Sequence, residues 1–213
     1  MMACKLIPGT VIPYPSAASG KEAAVPTGAR QKSGADGMSG AGMFSLFRPM
    51  IRAADGLSLS QVCAITGLEP STVQNWVKRG FVAHPVKKKY YERQLARILL
   101  IAALRDCMKI EQIGELLHMV NGNADDESDD IISEGQLYDD LCELVRQMDD
   151  YGIPGPEEAG AMIRQVIAAD TGPDEDARRR LTLALLTMVY AYGSGKLKQE
   201  ADLYFSQMKA GGV

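Results

Sequence analysis

Apolar residues recur at helical spacing along most of this chain, and short polar breaks cut the pattern into successive helices. Phe44, Phe47 and Ile51 predict a short helix over 44–54. Leu59, Val62, Cys63 and Ile65 cluster on one side of a helix over about 60–66, with Gln61 and Ala64 turned away and Ser58 placed to cap it. Gly67 suits a left-handed exit, Leu68 plugs the angle that follows, and Pro70-Ser71 opens a second helix on which Val73, Trp76 and Val77 share an inward stripe. Gly80-Phe81-Val82 ends it and reads as extended; the segment after it, 84–90, reads as a short wing. Further helices are predicted over 92–104 (Leu95, Ile98, Leu99, Ala102, Leu104), 110–120 (Ile110, Ile113, Leu116, Leu117, Val120) and 134–149 (Leu137, Leu141, Leu144, Val145, Met148). Breaks at 152–156 and at Thr171-Gly172-Pro173 separate helices near 157–169, 174–193 and 196–209, with Asp174, Glu175 and Asp176 suited to a positive helix end. The pattern therefore predicts an all-α fold with at most a minimal β wing.

Composition divides the chain further. Residues 1–43 are rich in Gly, Ala, Ser and Pro, lack periodicity, and read as a flexible or extended arm. With 213 residues, 46% hydrophobic and 23% charged, the remainder has ample material for a core. The net charge of −4 is unevenly spread. Positions 57–118 hold nine Lys/Arg against five Asp/Glu, whereas 119–213 hold eight against nineteen. A modestly basic domain over 44–120 is thus expected to join an acidic helical region over 121–213. Cys4, Cys63, Cys107 and Cys142 form no Cys-x-x-Cys pair, and the last three fall on apolar helix faces, where buried reduced thiols are expected. No signal-peptide core or bilayer-length apolar run is present, so a cytoplasmic, non-membrane location is expected.

The helix over 71–79 carries the sharpest chemistry. With Val73, Trp76 and Val77 inward, its polar side chains are left outward, and Gln and Asn are the types that pair bidentately with adenine edges. This predicts Thr72, Gln74 and Asn75 as base-facing residues. Ser71, Lys78, Arg79, Lys87, Lys88, Lys89 and Tyr90 are expected on phosphates, which fix position without reading sequence. The partner so implied is double-stranded DNA, with weak, salt-sensitive non-specific affinity because few cations neutralise backbone charge.

Leu59, Val62, Thr66-Gly67, Thr72-Val73, Trp76, Lys78, Gly80-Phe81, Tyr90, Leu95 and Ile98 resemble the N-terminal pattern of the MerR superfamily of bacterial transcription regulators. Arg105 and Ile110-Glu111-Gln112-Ile113 continue it. More closely, Asn75-Trp76-Val77-Lys78-Arg79-Gly80, Pro85-Val86-Lys87-Lys88-Lys89-Tyr90 and Ser128-Asp129-Asp130-Ile131-Ile132 resemble a family of bacterial proteins grouped as domain of unknown function 1836, described as MerR-like winged helix-turn-helix. The resemblance covers about 44–150 and implies that fold and a DNA partner, but no ligand or reaction. No sustained heptads follow the domain and the wing is short, which leaves operator binding rather than promoter distortion.

The remaining chemistry is sparse. The acidic run 125–130 alternates oxygen ligands suggestively, but Asp126 stands where a calcium loop needs Gly and Ile132 where it needs a bidentate Glu, so no metal is expected. His84 and His118 lie far apart, and His118 is expected to be packed on an apolar face. Gly193-Ser194-Gly195-Lys196 lacks the strand and spacing of a phosphate loop. No enzyme activity or cofactor is expected. The apolar stripe Leu181, Leu185, Met188 and Tyr192 suggests a homodimer face or core, and the acidic helices would dimerise, bind an effector or contact another protein. The alternative to a DNA-binding regulator is a non-enzymatic protein-interaction module on the same scaffold without DNA affinity.

Overall fold

The computed structural model describes residues 3–4, 12–13, 42–126, 128–168 and 174–211, together with the backbone of 169. The arm expected over 1–43 lies outside them, apart from its last two residues and a ladder in which β1 (Ala3–Cys4) pairs antiparallel with β2 (Ile12–Pro13). The turn expected at 171–173 and Glu127 of the acidic run also lie outside the described residues. The rest is all-α. A 3-10 turn, Met43–Leu46, leads into α1 (Arg48–Ala53), then α2 (Leu59–Thr66) and α3 (Pro70–Lys78). Next come α4 (Glu92–Leu104), α5 (Ile110–Asn121), α6 (Glu134–Tyr151), α7 (Pro156–Val166) with a 3-10 turn at Ile167–Ala169, and α8 (Glu175–Ala210).

Helix α4 is the axis of the molecule. Every residue from Gln94 to Leu104 is buried, so beyond its first two residues α4 has no solvent face. It packs against α2, α5, α6 and α8. The one strong charge it carries inward, Arg97, is answered on two sides: its guanidinium pairs with Glu134 of α6, and its Nε–H donates to the Phe81 carbonyl at 2.7 Å. Because α4 packs on α6 and α5 on α8, residues on either side of position 120 share one hydrophobic core.

Three sequence expectations need correction. The two C-terminal helices are one, running 36 residues through Gly193-Ser194-Gly195. Glycine costs about 1 kcal/mol in a helix, but here it is required by close packing. A Cβ on Gly193 would press on Met148 and Ile153, and one on Gly195 would lie 2.3 Å from the Cys107 sulfur. His118 is exposed: the buried stripe of α5 is Ile113, Leu117 and Val120, and His118 lies beside it in the last turn. Cys142 is buried, while Cys63 and Cys107 are only partly so; burial still pushes both of those thiols upward in pKa.

Candidate nucleic-acid interface

The pair α2–α3 is built by local rules. Ser58 caps α2 reciprocally: the Gln61 N–H donates to Ser58 Oγ at 3.3 Å, and the Ser58 N–H donates to Gln61 Oε1 at 2.8 Å. Gly67 ends the helix at φ 67°, where a side chain would be strained. Thr66 pins the turn, its hydroxyl donating to the Val62 carbonyl at 2.8 Å and accepting from the Leu68 N–H at 3.4 Å. Pro70 starts α3, whose inner face is Val73, Trp76 and Val77, all buried with Leu68. Ser71, Gln74, Asn75 and Lys78 are exposed and Thr72 is half-buried. Among the described residues, no acidic C-terminal element covers Ser71, Gln74, Asn75 or Lys78, which are all exposed.

The chain after Gly80 (φ 76°) returns as a two-residue hairpin. Val86 and Lys89 exchange backbone hydrogen bonds of 3.0 and 2.8 Å, and Tyr90 does the same with Leu57 at 2.8 Å each way. The central residues, Lys87 and Lys88, have φ of 49° and 65°. Positive φ at both positions defines the turn type that normally selects Asn-Gly, because L-residues with long side chains are strained there. Two exposed lysines are therefore held at the tip in a conformation they disfavour.

Two residues expected on phosphates are placed differently. Tyr90 is only 4% exposed. Its ladder with Leu57 turns the ring into the core, and burial raises its phenol above the ordinary range. Lys89 is half-buried and its ammonium donates to the carbonyls of Ala54 at 3.3 Å and Gly56 at 3.1 Å, so it closes the end of α1. Gly56 (φ 85°) is needed there, since a Cβ would meet Lys89 Cβ at 2.9 Å and the Tyr91 ring at 3.0 Å.

Arg79 is exposed but ordered. Its guanidinium stacks 4.7 Å from the Phe81 ring centroid and donates to Glu111 at 2.6 Å. The Glu111 backbone N–H, together with that guanidinium, holds the Glu111 carboxyl below the usual range. Thr72, Trp76 and Arg79 line an open cleft of about 530 Å³ whose other wall is the α4–α5 turn: Arg105, Asp106, Cys107, Met108, Lys109 and Ile110. Neither Arg105 nor Lys109 is among the residues expected from the sequence to meet DNA. They flank a turn, outside any periodic face, and only the fold brings them beside α3. Farther off, Arg93 donates to the carbonyls of Asn123 and Asp126 and to Asp130 at 3.1 Å, fastening the acidic loop to α4.

Residues 56–141 match the family described as Domain of unknown function (DUF1836). The matched stretch takes in α2 to α5, the hairpin and the first part of α6, and lies inside the 44–150 range of the sequence resemblance. A curated relative, the uncharacterized protein YkrK of Bacillus subtilis (strain 168), is 28% identical over 107 residues, which is 48% of this chain and 46% of the relative. The chain thus spans about half the length of the curated relative it matches. No solved structure matches it.

Proposed function

We propose that this protein is a DNA-binding transcriptional regulator of the cytoplasm, with α2–α3 as a MerR-like helix-turn-helix and the Val86 to Lys89 hairpin as its wing. The observation that carries the reading is α3 itself. Val73, Trp76 and Val77 lock one side into the core, while Ser71, Gln74, Asn75 and Lys78 stand free on the other. Amide side chains on a rigid exposed helix suit base edges in a major groove. Thr72, Gln74 and Asn75 read bases in this proposal. Phosphates are met by Ser71, Lys78, Arg79, Lys87 and Lys88, with Arg105 and Lys109 extending the basic surface from the cleft. Tyr90 and Lys89 support the hairpin from below.

The reading agrees with the local charge, since affinity follows the face that meets phosphate rather than the total. Among the described residues no helix is long and apolar enough to cross a membrane.

The test is selection of bound fragments from randomised duplex DNA, followed by anisotropy titration of the selected duplex across a salt series. The intact protein should retain duplex DNA at low salt and release it as salt rises. Gln74→Ala with Asn75→Ala should erase the preference for the selected duplex over random DNA and leave non-specific retention in place. No detectable retention at low salt would remove the reading and leave a protein-interaction module.

A further inference from the structure

The N-terminal half of α8 is consumed by the core. Leu181, Leu185 and Met188 are fully buried and Tyr192 partly so, so of the two readings of this stripe, dimer face or core, the core takes it. The other half is different: from 197 to 211 every residue is exposed. Leu197, Tyr204, Phe205 and Met208 are 57–65% exposed. A helix of that length is marginal in water without a partner for its apolar side.

Leu197, Ala201, Tyr204 and Met208 follow one another at intervals of four, three and four residues. They form a single seam, which Phe205 flanks and outside which Leu203 lies. Overlaid antiparallel about a two-fold axis between 202 and 203, two such seams interlock. Leu197 meets the partner's Met208, and Ala201 meets the partner's Tyr204, so a small residue faces a large one in the central layers. A parallel, in-register pair would set Tyr204 on the partner's Tyr204 and leave a gap at Ala201. The flanks agree with the antiparallel overlay. Lys198 falls near the partner's Phe205, a cation on a ring face, and Glu200 near the partner's Gln207. No like charges meet. Lys198 already pairs with Asp202 at 2.7 Å and Lys209 lies 4.6 Å from the Phe205 ring centroid, so the ordered charges border the seam and leave it open.

We propose that residues 197–211 of α8 form the homodimerisation element of this protein, pairing antiparallel with the same segment of a second copy. The exposed seam would bury roughly 1,000 Å² between two copies, the small end of specific interfaces, which points to micromolar affinity. The inference does not rest on the DNA reading.

Sedimentation equilibrium of the full chain should show a dimer. Tyr204→Glu should raise the dissociation constant at least about tenfold, and Ser206→Glu, on the opposite face, should change it by less than about twofold. These positions are exposed in the single chain, so melting of the body should not move at protein concentrations where the intact chain is monomeric. Ala201→Lys should also dissociate the dimer, and mixing it with Tyr204→Glu should restore association, because only the antiparallel pair sets 201 against 204. A monomer at about 100 µM, a dimer indifferent to Tyr204→Glu, or a mixture that fails to associate would each overturn the proposal.

Discussion

Lys87 and Lys88 sit at φ 49° and 65°, and this makes a paired prediction about stability and binding. An L-residue in the left-handed region costs roughly 1–2 kcal/mol, while Asn tolerates it and Gly meets no steric cost there. Replacing both lysines, Lys87→Asn with Lys88→Gly, keeps the turn type and relieves most of that strain. The flexibility that Gly adds to the unfolded chain returns roughly 0.5–1 kcal/mol, so a net gain of about 1 kcal/mol is expected. For a chain of this size that raises the melting temperature by about 2–4 °C. The same change removes two cations from the hairpin tip. Each phosphate contact contributes about 0.9 to the slope of log affinity against log salt, so the slope should flatten by about 1.8. Thermal melts by circular dichroism and anisotropy titrations on the selected duplex give the two numbers. The charge-preserving pair Lys87→Arg with Lys88→Arg should alter neither by much. A variant no more stable than the parent refutes the strain argument, and an unchanged salt slope refutes the placement of the tip on phosphate.

Removing one member of the buried Arg97–Glu134 pair should be costly: Arg97→Met is expected to lose about 3–5 kcal/mol, read as a fall of roughly 6–20 °C in melting temperature. Burial already pushes the Glu134 carboxyl above its ordinary value, against the pull of Arg97 and Arg93. A carboxyl raised in the folded state holds its proton more tightly there, so the native state is favoured at low pH and loses ground as pH rises through the folded value. Without Arg97 the carboxyl rises further, and the deficit of Arg97→Met should be larger at about pH 8 than at about pH 5; an equal deficit at both would contradict it. Gly195→Leu should destabilise, because its Cβ would overlap the Cys107 sulfur at 2.3 Å. Adding Cys107→Ala should recover part of the loss in chemical denaturation, and full additivity of the two changes would show that they do not touch.

Local chemistry alone determined much of this protein. The Ser58 cap, the left-handed Gly67, Pro70 at a helix start, and the stripe Val73, Trp76 and Val77 depend on neighbours within one or two turns, so spacing reveals them directly. The family resemblance rests likewise on short segments, and the family match covers 56–141. Tertiary structure decided what those rules leave open. Tyr90 and Lys89 look like Lys87 and Lys88 in a basic run, but pairing with Leu57 and the carbonyls ending α1 turns them inward. Arg105 and Lys109 reach the cleft beside α3 only through the α4–α5 turn. The stripe at 181–192 and the seam at 197–208 have similar periodicity, yet the core takes the first and leaves the second exposed. Periodicity records which side of a helix is apolar; which body that side meets depends on contacts between residues distant in the chain.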